Sequence, residues 1–200
     1  MIICLISSGD GSPLESIRAA AASGVDLVQI REPTMPAASL LMMVREAIAT
    51  TAGTSCRVLV NDRLDIALAG VAAGIHLRAD SFAATRVRTV APAGFIVGRS
   101  VHGPREAAAV TREGGYDYLI FGTVFPSANK PPGHIAAGIP VLRDVCRATT
   151  LPVVAVGGIT VENAPEVIRA GARGIAGIEL FREAGAIRSK VEQLRQQFDT

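Results

Sequence analysis

The sequence predicts a closed, parallel (β/α)8 barrel, and three observations carry that expectation. Eight short runs rich in Val, Ile and Leu each lead through a polar junction into an Ala-rich helical stretch, the pattern of alternating β and α elements. The runs are nearly continuous in apolar residues, as expected of strands covered on both faces. No linker, low-complexity tract or change of composition divides the 200 residues, so residues 1–200 read as one domain large enough to bury a sizeable core. A doubly wound open sheet would give a similar pattern, and the count of eight units favours the barrel.

In chain order, the first run, residues 2–7, is read as a strand because it lacks the basic lead, long apolar stretch and cleavage site of a secretion signal. Helical residues 13–23 follow, then strand 27–31 and helix 37–51, strand 57–61 and helix 64–72, and strand 74–77 and helix 82–90. The second half repeats the pattern with strand 95–100 and helix 104–114, strand 118–121 and helix 139–149, strand 152–157 and helix 161–170, and strand 174–178 and helix 183–197. One long connection, residues 122–138, is punctuated by Pro126, Pro131, Pro132, Gly133 and Gly138, and reads as a lid or binding loop.

Composition excludes several function classes. Twenty basic against 18 acidic residues give a net charge of +2 spread along the chain, which disfavours a nucleic-acid stripe or a basic membrane patch. Aromatics make up only 4%, with no Trp, leaving little material for base stacking. The most apolar stretch, residues 66–77, is too short to span a bilayer. Cys4, Cys56 and Cys146 are odd in number and far apart, which suits buried thiols in a reducing cytoplasm.

Barrel enzymes place their active sites at the C-terminal ends of the strands, so the polar residues after each run are the candidates. Gln29 and Arg31 lie two apart and face one side of a strand; Arg31 is either an anion clamp or the partner of Glu32 or another carboxylate at the barrel rim. Asn61-Asp62 offers a carboxylate for Mg2+, or for a structural pair with Arg63 or Arg31. Gly157-Gly158, paired with the Gly174 to Ile178 segment, fits a phosphate site in which backbone N–H groups approach the ligand closely; tight turns alone would also require such glycines. His102 points toward the mouth and His134 lies in the long loop, each able to carry a proton near neutral pH, whereas His76 reads as a packing residue inside its strand.

On these residues the chain resembles the thiamine phosphate synthase and TenI superfamily from end to end. The resemblance rests on 28–32, 60–68, 74–77, 98–102, 117–126 and 153–159. In the synthase it implies, a pyrimidine methyl diphosphate joins a thiazole phosphate and diphosphate leaves with the help of Mg2+. The synthase pattern is matched at Gln29, Arg31, Asn61 and Asp62, but its lysine position holds Pro33 and its second metal carboxylate aligns with Ser81, leaving Asp80 to substitute. Its Thr-x-Thr-Lys run becomes Ser127-Ala128-Asn129-Lys130.

The TenI branch, which tautomerises a carboxylated thiazole phosphate without metal, looks closer, although its proton-transferring histidine aligns with Thr123. The leading expectation is therefore a TenI-like thiazole tautomerase, with His102 or His134 moving the proton, Arg31 facing the carboxylate, and Gln29, Asn61, Ser100, Thr123, Ser127, Asn129, Lys130, Gly157, Gly158, Gly177, Ile178 and Glu179 binding substrate and phosphate. The alternatives are a Mg2+-dependent synthase, with Asp62 and Asp80 as metal ligands, and a noncatalytic binder of thiazole phosphate. No cofactor is expected beyond the Mg2+ of the synthase. The expected partner is a small phosphorylated ligand, with neither nucleic acid nor membrane, and a homodimer is compatible with the sequence.

Overall fold

A computed structural model describes residues 1–7, 13–127, 131 and 133–198. Strands β1 (Ile2–Ile6), β2 (Leu27–Ile30), β3 (Arg57–Asn61), β4 (Gly74–Leu77), β5 (Ile96–Val101), β6 (Tyr118–Gly122), β7 (Val153–Val156) and β8 (Gly174–Gly177) pair in chain order, all parallel, and β8 closes the ring onto β1. Helices α1 (Pro13–Ala22), α2 (Ala37–Thr51), α3 (Leu64–Ala69), α4 (Ala84–Arg88), α5 (Pro104–Glu113), α6 (Gly138–Arg147), α7 (Ala164–Arg169) and α8 (Ala184–Phe198) surround it. The expected barrel is thus the observed fold.

The strands lack visible alternation because two different apolar layers bury their two faces. Val28, Ile30, Val58, Val60, Leu119 and Phe121 point outward into a large core shared with Ile17, Val44, Leu142 and Val191 of the helices. Cys4, Leu27, Leu59, Tyr118, Val154 and Ala176 point inward and fill the barrel from within. Both sets are apolar, so period-2 patterning disappears from the sequence while persisting in space. Burial pushes the Cys4 thiol far up and the Cys56 thiol up to about 12, keeping both protonated and inert.

Several helices are shorter than expected, for local reasons. α3 stops at Gly70, and Val71 turns left-handed at φ 57°. α4 begins at Ala84 because the carbonyls of Ala79, Ser81 and Phe82 are bound by Arg99 instead. A 3-10 turn, Glu179–Phe181, follows β8 and was not expected.

Inside the barrel, one glycine makes room for one aromatic ring. Gly98 pairs with His76 on one side and Tyr118 on the other, and a Cβ on it would lie 2.2 Å from Tyr118 Cζ. Tyr118 therefore crosses β5 only because Gly98 has no side chain. Gly98→Ala is expected to lower folding stability by about 1–3 kcal/mol through overpacking, measured by chemical denaturation; an unchanged midpoint would refute this packing.

Candidate active site

A cavity of about 860 Å3 opens at the C-terminal ends of the strands, within the size range of small-ligand sites. Its walls continue the inward rows of the barrel. Leu27 is followed two residues on by Gln29 and then Arg31, Leu59 by Asn61, and Gly74 by His76 and Arg78. The same strand faces that are apolar at depth become polar at the mouth, so the site follows from the register.

At β2, Gln29 is 2% exposed and donates through Nε2 to Asn61 Oδ1 at 2.8 Å, while its own Oε1 is buried with no partner. An orphaned acceptor in a cavity wall suits an N–H donor on a ligand. Arg31 also lines the cavity, and its expected alternative partner is occupied elsewhere: Glu32 accepts from Ser7 Oγ at 2.6 Å, and that same oxygen accepts the Arg31 backbone N–H at 2.9 Å. Among the described residues no carboxylate pairs with the Arg31 guanidinium. The pairing of Arg31 with Glu32 is therefore corrected in favour of a cation presented to the cavity.

Beside it, Asp62 stands just past β3 in the left-handed region at φ 59°, a conformation that Asp tolerates better than most residues. Neither of its expected arginine partners takes it, since Arg63 pairs with Asp65 at 2.6 Å. Instead the Ser81 hydroxyl donates to Asp62 Oδ1 and accepts the Arg78 N–H at 3.1 Å. Asp80, expected as the substitute metal ligand, turns to Arg78 at 2.7 Å on the cavity rim; Ser81 is the residue in contact with Asp62.

Arg99, which sequence reasoning left without a role, holds this loop in place. Arg99 is 8% exposed; its guanidinium lies 5.8 Å from the Tyr116 ring centre and donates to the carbonyls of Ala79 at 2.7 Å and of Ser81 and Phe82 at 3.0 Å. A buried cation bonded to three backbone oxygens fixes the path of the chain where Asp80 and Ser81 project.

His76 also departs from its reading as mere packing. It lines the cavity, with Nε2 2.8 Å from Ser100 Oγ and Nδ1 3.1 Å from the Tyr118 hydroxyl. Burial, aided by the Arg99 charge, pushes its pKa from 6.5 down to about 3. His102 reaches the cavity too: its backbone N–H donates to Glu106 at 2.7 Å in the first turn of α5, and its Nδ1 is 3.4 Å from the Gly122 carbonyl. His134 is exposed and does not line the cavity, while Asn129 and Lys130 fall outside the described residues.

Opposite, Thr123 is 4% exposed and follows a cis peptide bond from Gly122. A Cβ on Gly157, at φ 101°, would lie 2.3 Å from Thr123 Cγ2, and one on Gly158, at φ 61°, would lie 2.3 Å from the Pro126 carbonyl. Both glycines are required by the close approach of the β6 loop, whatever ligand binds above them. Ser127, Gly177, Ile178 and Glu179 complete this side, with Glu179 paired to Arg182.

A closed β/α barrel whose strand ends bring an amide, an Arg31 unpaired among the described residues and a double-glycine turn to one cavity is the build of a barrel enzyme for small ligands. The chain belongs to the thiamine monophosphate synthase family, whose model matches residues 1–181. It is 37% identical over 181 residues to the thiamine-phosphate synthase of Methanoculleus marisnigri, covering 89% of this chain and 84% of that one. It is 40% identical over 164 residues to the synthase of Methanocella arvoryzae, covering 82% and 77%. Among solved structures, the thiamine phosphate pyrophosphorylase from Pyrococcus furiosus superposes with a TM-score of 0.84 at 30% identity, covering 98% of this chain and 94% of that one.

These matches correct the leading expectation of a TenI-like tautomerase and favour the synthase alternative. They support an enzyme, and with it a small phosphorylated ligand, over a noncatalytic binder. The synthase pattern is departed from at Pro33 and Ser81. In the structure the Ser81 oxygen still meets Asp62, and Arg78, which the resemblance did not single out, adds a cation to the wall. No helix among the described residues is long and apolar enough to cross a membrane.

The depressed His76 pKa has a measurable sign. An unfolded chain takes up a proton there near pH 6.5 and the folded chain only near pH 3, so stability from neutral His76 is full above 6.5 and is lost as pH falls. The slope is at most about 1.4 kcal/mol per pH unit. Denaturation at pH 7 and pH 5.5 is expected to show wild type losing about 1 kcal/mol more than His76→Gln; equal losses would refute the buried neutral ring.

Proposed function

We propose that this chain is a thiamine-phosphate synthase, joining a pyrimidine methyl diphosphate to a thiazole phosphate. The observation that carries this reading is the division of the cavity. Gln29, with its orphaned buried oxygen, and Asn61 offer hydrogen bonds to a heterocycle, Arg31 and Arg78 offer charge to a diphosphate, and Gly157-Gly158 stand across from them beside the Glu179 turn. In the reaction the bond between the methyl carbon and the diphosphate oxygen breaks, and that carbon bonds to the thiazole. Negative charge grows on the departing diphosphate, so guanidinium groups fixed at that end stabilise the transition state more than the ground state.

Mg2+ binds hard oxygens through one or two carboxylates together with substrate phosphates. The Asp62 carboxylate and the Ser81 hydroxyl, already in contact, fit that requirement. Among the described residues no group of three His, Cys, Asp or Glu side chains gathers to hold an ion by protein alone, which suits a metal that arrives with diphosphate. When bound, Mg2+ would neutralise part of the diphosphate charge. Arg99 contributes by fixing the loop, and the Ser7–Glu32 bond by holding the backbone that carries Arg31.

The test is a mass-resolved incubation of both substrates with and without Mg2+. Thiamine phosphate and diphosphate are expected to appear only with metal. Product forming equally in chelator would overturn the metal assignment, and no product under any condition would overturn the synthase reading. Ser81→Ala is expected to raise the Mg2+ concentration needed for half-maximal rate by roughly 10-fold, whereas Asp62→Ala is expected to cost at least about 100-fold in rate.

A further inference from the structure

The Tyr118, His76 and Ser100 side chains form a continuous line from the barrel interior to the cavity, and the direction of its hydrogen bonds can be worked out. We propose that His76 is a positioning residue: Tyr118 fixes its imidazole as the Nε2–H tautomer, and the ring then holds Ser100 so that the serine hydroxyl donates into the cavity.

The derivation starts at the buried end. Tyr118 is 3% exposed, and the only hydrogen-bond partner of its hydroxyl among the described residues is His76 Nδ1 at 3.1 Å. A buried phenol proton without an acceptor costs about 1–3 kcal/mol, so the proton goes to Nδ1. Nδ1 therefore carries no hydrogen. The ring is 2% exposed, and with Nδ1 accepting from the phenol its one N–H must be on Nε2.

Nε2 lies 2.8 Å from Ser100 Oγ, so the ring donates and the serine oxygen accepts. The hydroxyl proton of Ser100 then has nowhere to go but outward, since no other partner of Ser100 is found among the described residues and its side chain lines the cavity. With the opposite tautomer Ser100 would spend its proton on the ring and show the ligand only lone pairs. The arrangement thus selects an acceptor atom on the ligand, a phosphate oxygen or a ring nitrogen, at this point of the wall.

Register makes the line possible. His76, Gly98 and Tyr118 are neighbours across β4, β5 and β6, and the missing side chain of Gly98 lets the tyrosine ring lie over β5 to reach Nδ1. Ser100 is two residues beyond Gly98 on the same strand face, which returns the line to β5 one row nearer the mouth.

The consequence for turnover rests on the synthase reading above, but the tautomer does not, so the experiment has two arms. In the first, the full chain is labelled with 15N-histidine and its long-range 1H–15N correlations are recorded, His76 being assigned by its loss in His76→Gln. A protonated Nε2 and a bare Nδ1 are expected, and Tyr118→Phe should shift the ring toward the other tautomer. A protonated Nδ1 in the wild type overturns the proposal, even if no variant folds.

In the second arm, kcat/KM for thiamine phosphate formation is compared. Tyr118→Phe and His76→Phe are each expected to lose roughly 10- to 100-fold, the range of a hydrogen bond to a charged group. His76→Gln, which keeps an N–H near the Nε2 position, should recover most of that loss. Tyr118→Phe combined with Ser100→Ala should be no worse than Ser100→Ala alone. Fully additive losses, in variants whose melting shows them folded, overturn the positioning role. A chain that makes no thiamine phosphate would refute the function while the tautomer result still stands.

Discussion

Closing the sheet on itself is the constraint on which everything else in this molecule depends. Once β8 pairs with β1, the inner face has no access to helices and must be filled by the strands themselves. Leu59, Val154 and Cys4 do this, and a tyrosine at the start of β6 joins them by lying across a glycine. Because the rows advance two residues at a time, the filling layer passes directly into the layer that meets ligand. The tyrosine that completes the interior is then also the one whose hydroxyl faces the histidine below the cavity. Packing and site are consecutive rows of one surface.

Electrostatics divides the arginines of the mouth into two groups. Arg99 is turned away from the cavity and spent on carbonyl oxygens, where its charge secures a loop and disfavours protonation of His76. Arg31 faces the cavity, its neighbouring carboxylate already engaged by Ser7. A carboxylate tied to a hydroxyl neutralises a nearby guanidinium less than one in direct contact. The serine at the end of β1 thus leaves the Arg31 charge facing the cavity without removing the acid from the chain.

Much of this was legible in the sequence. Apolar runs located all eight strands, and the rule that residues two apart share a face put Gln29 and Arg31 on one wall. The helix ends were less legible, because they depend on long-range contacts: α4 starts late because an arginine on β5 takes the carbonyls before it. The role of His76 was hidden for a similar reason. Seen alone in an apolar strand it resembles a packing residue, and only the neighbouring strands reveal its partners. The branch was not legible at any one residue and is corrected by the relatives, which are thiamine-phosphate synthases; what the structure adds at Ser81 is that its hydroxyl lies against Asp62. The Ala84 start of α4 and the Ser81 contact trace back to the same Arg99, which nothing in the linear pattern distinguishes from a surface cation.

Gly157 and Gly158 have a broader implication for how such a chain can diverge. Their backbones are pressed against Thr123 and Pro126, so selection for folding alone would hold them in place. A position fixed twice, once by the neighbouring loop and once by whatever it faces, says little about which ligand is bound. Descendants of this barrel could exchange one small phosphorylated molecule for another while this turn stayed unaltered. The record of their specialisation would be written instead in the residues free to vary around it, on the β2 and β4 side of the mouth.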